Sequence, residues 1–116
     1  MNIIFGTAEA QSLSDKYIVL ELDTITIRNS TPIKVYCVVE GMPLEDLSRA
    51  EAFKRLHADL MDNYHRRQWD YCLDAIEHLM GFWGKDVDTF YDVLKTRLLD
   101  YKEKEPDESW TGVIAK

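Results

Sequence analysis

Three histidines, His57, His65 and His78, stand in the middle of the chain among carboxylates at helical spacing. Asp62 precedes His65 by three residues and Asp74 precedes His78 by four, so each pair shares one helix face. Glu77 adds another oxygen beside them. If two such faces met, imidazole nitrogens and carboxylate oxygens would make a metal site of the kind built between bundle helices. The ligand set would be Asp62, His65, Asp74 and His78, in a small metal-dependent enzyme. The spacing is neither the Glu-x-x-His repeat of di-iron bundles nor His-Glu-x-x-His. Asp62, Asp74 and Glu77 also fall off the apolar stripes. Paired surface positions are therefore the expected state, with no metal and no cofactor.

Other chemistry finds less support. Ser12, Ser14, Ser48, Cys37 and Cys72 have no histidine or glycine-rich turn beside them in sequence, so no nucleophile is marked. Gly6-Thr7 after a strand offers a single glycine, too few to cradle a phosphate. Glu21 and Glu40 would need a shared pocket to act as acid and base. No catalytic residue is assigned, and an enzyme is the less favoured class. Lys54, Arg55, Arg66 and Arg67 are the best case for nucleic acid. Asp59 and Asp62 interleave with them at i,i+4 spacing, the pattern of a self-paired solvated face. Direct nucleic-acid binding is thus disfavoured. An acidic surface that mimics nucleic acid stays open as an alternative.

The aromatic residues carry the interaction signal. Phe82 and Trp83 lie between Gly81 and Gly84, where they either plug two helices or present a patch. Trp110 ends a polar stretch and either docks on the body or hooks a partner. Phe82, Trp83, Tyr101 and Trp110 are the expected protein-contact residues, since aromatic side chains often anchor interfaces.

The charge and length bound what these residues can belong to. The 116-residue chain fits one domain and buries roughly two thirds of its extended surface on folding. Its formal charge is −7, and an acidic surface is repelled by nucleic acid and anionic membranes. The two cysteines read as small buried hydrophobes, with a Cys37–Cys72 bridge only if strand and helix present them face to face. No run approaches the roughly 18 apolar residues of a membrane span, so no membrane association is expected. The opening MNIIF lacks a basic region and a long apolar core, which points to cytoplasmic localisation.

The elements follow from periodicity. Residues 2–5 read as a short strand, and Thr7 caps a brief helix over 8–14. In YIVLELDTITI, Ile18, Leu20 and Leu22 share a face while Ile25 and Ile27 fall on the other. That phase change predicts a bulge near Asp23 and Thr24. RNSTP supplies a turn, and 33–40 makes the next strand. After the boundary Gly41-Met42-Pro43, Leu44–Leu47 reads as a helical turn. Ser48 and Glu51 form a capping box for a helix from about Arg49 to Arg67, with Phe53, Leu56, Leu60 and Tyr64 inward and Ala52 or Met61 beside them. Helices over 69–80 and 87–102 follow. Their inward sets are Cys72, Leu73, Ile76, Leu79 and Met80, then Val87, Phe90, Tyr91, Leu94, Leu98 and Tyr101. The expected fold is α+β: a three-stranded antiparallel sheet (2–5, 17–27, 33–40) packed on a C-terminal three-helix unit. One domain comprises strands over 1–43, helices over 44–102 and a polar tail over 103–116 that docks through Trp110 or frays.

Within 56–83, Tyr64, Trp69, Cys72, Ile76 and Leu79 show a bulky, aromatic, small, apolar spacing. This resembles one tetratricopeptide-type hairpin, which implies two antiparallel helices brought close by a small residue. The Leu–Gly pair and the helix-ending proline are missing, and no second copy follows, so a peptide-binding array is not implied. The chain as a whole resembles small uncharacterised proteins of tailed phages of marine cyanobacteria, which implies no activity but keeps a viral or host-modulating role in view. The expected function is noncatalytic: binding of another protein or of a second copy, with sheet extension at an exposed edge as one route.

Overall fold

The computed structural model describes residues 2–28, 31–40 and 44–115, without the side chains of 44–47 and 115. In chain order the elements are β1 (Asn2–Phe5), α1 (Thr7–Leu13), β2 (Ile18–Thr26), β3 (Ile33–Val39), α2 (Leu44–His65), α3 (Trp69–Leu79), α4 (Lys85–Glu103) and β4 (Val113–Ala115). The fold is α+β, with four strands in place of the expected three. The expected boundary at 41–43 lies outside the described residues, as does the centre of the expected turn at 28–32.

The strands form one sheet in the order β1-β3-β2-β4. β3 is antiparallel to both β1 and β2, and β4 runs parallel to β2 through Thr24↔Val113, Ile25↔Ile114 and Thr26↔Ala115. The expected polar tail therefore ends in a strand. Three residues carry too little alternation to announce a strand, and their partner lies at the other end of the chain.

The register of β2 against β3 shifts between Glu21 and Asp23, leaving Leu22 as the extra residue. Before it, Leu20 pairs with Cys37 on the helix-covered face. After it, Asp23 and Ile25 pair with Val35 and Ile33 on that same face, while Glu21 and Thr24 take the other. The bulge thus reconciles the two phases of the strand: Leu20, Leu22 and Ile25 are all buried. It also turns Asp23 toward α4, where Arg97 grips it with Nη1–Oδ1 2.9 Å and Nη2–Oδ2 3.4 Å. Arg97 Nη1 also donates to the Tyr64 hydroxyl at 3.2 Å.

α2 is one continuous helix from Leu44, not a turn followed by a capped helix. No glycine or proline interrupts 44–65, so Ser48 sits inside the helix rather than at its cap. Leu60, Met61 and Tyr64 of α2 pack with Cys72, Ala75, Ile76 and Leu79 of α3 and Val87, Tyr91, Leu94 and Leu98 of α4 over Leu20, Leu22, Val35 and Cys37. Cys72 brings α2 and α3 together, its thiol directed at the Leu60 carbonyl at 3.5 Å. Met80, expected inward, is exposed because α3 ends at Leu79 and Met80 has an extended ψ of 129°. α1 meets the opposite face of the sheet, where Thr7 Oγ1 and the Tyr36 hydroxyl are hydrogen-bonded at 3.1 Å. Among the described residues, no helix is long and apolar enough to cross a membrane.

Candidate functional site

β4 covers only the second half of the β2 edge, residues Thr24–Thr26. The first half is met by α2, and a side chain closes it in place of a strand. His57, 1% exposed, places Nε2 on the Glu21 carbonyl and Nδ1 2.8 Å from the Tyr91 hydroxyl. A carbonyl can only accept, so Nε2 carries the proton. Burial holds the imidazole below its ordinary pKa of 6.5, which keeps it neutral and leaves Nδ1 to accept from Tyr91. Its position three, four and seven residues before Leu60, Met61 and Tyr64 was the sequence signal for this inward role.

Where α2 runs beside β2, a cleft of about 470 Å³ opens, lined by Glu21, Lys34 and Tyr36 from the sheet and Lys54, Asp59, Asp62 and His65 from the helix, together with His57. Glu21 is its electrostatic centre. Its carboxylate lies 3.8 Å from His65 Nε2 and 3.7 Å from Lys34 Nζ. The adjoining His65 imidazole lowers the Glu21 pKa from 4.5, against the opposing effect of burial and with help from Lys34. The same pairing raises that of His65 above 6.5. Glu21 contributes stability above about pH 4.5 that is lost as pH falls through its lowered folded value, and His65 contributes stability below about pH 6.5 that is lost as pH rises through its raised one. The pair is at full strength between those two limits.

His65 is held from behind by the C-terminal segment. Gly112, at φ +85°, passes so close that a Cβ there would lie 2.6 Å from His65 Nδ1. The segment is itself tied down by Arg67, whose guanidinium donates to the carbonyls of Pro106 (2.8 Å), Asp107 and Trp110 (3.4 Å) and pairs with Glu105 at 3.3 Å. Its Cζ also lies 5.3 Å from the centroid of the Trp110 ring.

The four residues of the metal alternative divide. Asp62 and His65 line the cleft, with Asp62 paired to Arg66 at 3.4 Å. Asp74 and His78 line a separate depression with Leu56, Tyr71 and Ala75, and His78 Nδ1 lies 2.9 Å from the carbonyl of Asp74. Among the described residues, no three His, Cys, Asp or Glu side chains converge as a metal-binding group. The cause is the direction of the helix faces: the α3 carboxylate–histidine face does not turn toward the cleft.

The four expected contact aromatics also have distinct places. Trp83 is 6% exposed and belongs to the core. Phe82 is half-buried, stacked on Phe53 with centroids 4.0 Å apart. Tyr101 and Trp110, also half-buried, cluster with Tyr64 and Trp69, and Trp69 Nε1 donates to Glu105 at 2.9 Å. Cys37 and Cys72 are free and buried. Comparison with protein-family models, with curated proteins and with solved structures found no match.

Proposed function

We propose that this is a noncatalytic binding protein whose recognition surface for another protein is the cleft between α2 and the sheet. The observation that carries this is the mutual pairing of its charged groups. Glu21 is held ionised by His65 and Lys34, and Asp62 is paired with Arg66. A carboxylate so stabilised is a weak proton acceptor, whereas a fixed mosaic of both charge signs suits electrostatic recognition. The half-buried Phe82 and Trp110 are proposed as separate apolar contacts outside the cleft. We further propose that the chain is phage-encoded, which would make a host protein the partner to seek.

The test is crosslinking in host extract with wild type and with a charge-swapped Lys54→Asp/Asp59→Lys chain that keeps the net charge. Binding at the cleft predicts crosslinks from Lys34, which both chains retain, to a partner, lost in the swap while the melting temperature stays unchanged. Equal capture by both chains would refute the assignment. A second reading, a small enzyme acting on a low-molecular-weight substrate, is favoured by the Glu21–His65 pair in a cleft within the roughly 300–1,000 Å³ range of ligand pockets. It predicts that a soluble metabolite mixture raises the melting temperature of wild type and not of Glu21→Gln.

A further inference from the structure

Among the described residues, β1 is the outermost strand, paired on one side only. The Gly6 N–H donates to the Lys34 carbonyl at 2.9 Å, which sets the phase of the β1–β3 ladder. With Ile4 opposite Tyr36 and Asn2 opposite Val38, Asn2, Ile4 and Gly6 direct their backbone groups to β3. Ile3 and Phe5 therefore direct N–H and C=O outward, along the free edge. Their side chains lie opposite Cys37 and Val35, on the face that the helices bury elsewhere. Yet Ile3 is 42% and Phe5 56% exposed, because the helical layer stops short of β1. The unpaired backbone and the uncovered apolar side chains belong to the same two residues. Asn2–Phe5 holds no charge, proline or bulge, the features that usually guard an edge against pairing.

We propose that a second copy of this chain pairs with β1 in antiparallel fashion across a twofold axis at Ile4. In that register Ile3 faces Phe5 of the other copy, and Phe5 faces its Ile3. Both are hydrogen-bonded pairs, giving four main-chain bonds and one continuous eight-stranded sheet. The occupant follows from self-complementarity: residues 3 and 5 exchange under the twofold, and an uncharged edge brings no like charges together. All four apolar side chains then cover one another on the helix side of the sheet. The interface is separate from the cleft and does not depend on the function proposed there.

Sedimentation velocity over a concentration series, with circular dichroism to confirm folding, tests this. Wild type should shift from monomer to dimer, and added salt should favour the dimer by screening a charge of −7 on each copy. Ile3→Lys and Phe5→Lys should remain monomeric. Ile4→Cys, meeting itself on the axis in a non-hydrogen-bonded pair about 4.5 Å apart at Cα, should form a disulfide-linked dimer on mild oxidation. A monomer at every concentration would overturn the proposal, and so would a dimer that survives both lysine variants. If a lysine variant fails to fold, the Ile4→Cys result decides: a covalent dimer supports the register, and none refutes it.

Discussion

Replacing His57 by phenylalanine tests the closure of the β2 edge. The phenyl ring keeps most of the volume but removes both hydrogen bonds, stranding the Glu21 carbonyl and the Tyr91 hydroxyl in the interior. Each buried group left unsatisfied costs about 1–3 kcal/mol, so the expected loss for the two is about 2–6 kcal/mol. For a domain of this size that is a melting-temperature drop of roughly 10 °C or more. His57→Gln, which retains an amide N–H for the Glu21 carbonyl, should recover part of it. A pH signature separates this mechanism from simple misfit. Burial depresses the folded pKa of His57 below 6.5, so its stabilising contribution is present above that value and is lost as pH falls, when the unfolded chain takes up the proton. Between about pH 7.5 and about pH 5.5 the limit of this loss is about 1.4 kcal/mol, reached by a ring that stays neutral throughout when folded. The stability gap between wild type and His57→Phe should narrow toward acid pH by up to that limit. Urea unfolding at the two pH values measures it. A variant melting within about 2 °C of wild type, or a gap constant with pH, would refute the reasoning.

Arg67→Ala should release the C-terminal segment, because it removes the donor to three carbonyls and the partner of Glu105 and Trp110. Amide exchange at Val113–Ala115 should accelerate and stability fall by about 2–3 kcal/mol, the scale of hydrogen bonds to a charged group, whereas unchanged exchange would show that β4 holds without the arginine. Burial pushes the thiol pKa of Cys37 up to about 11 and that of Cys72 up to about 12. Neither should react with a thiol reagent at neutral pH until denaturant is added, and prompt labelling of the native chain would contradict the packing around whichever cysteine reacts.

Periodicity alone made most of this fold legible. Alternation marked β2 and β3, and the misfit between Leu20–Leu22 and Ile25 disclosed the bulge, since a strand cannot bury both sets without an extra residue. The 3.6-residue stripes marked α2, α3 and α4 through Leu60, Ile76, Tyr91 and Leu94. What escaped were features made by distant pairs. β4 has three residues and takes its identity from β2, and Arg67, one of four bases that suggested a solvated face, is spent on the C-terminal segment.

The candidate site divides in the same way. Residue types and helical spacing determined by themselves that Asp62 and His65 share one face and Asp74 and His78 another, because those relations are local to one helix. Only the tertiary structure decided that the first pair meets Glu21 and Lys34 across a cleft while the second faces elsewhere. It likewise decided that β1 is left uncovered although its pattern is apolar. An amphipathic pattern states which side chains seek burial. How far the helical layer extends over the sheet is set by packing between elements remote in sequence, and it is this that separates core from contact surface.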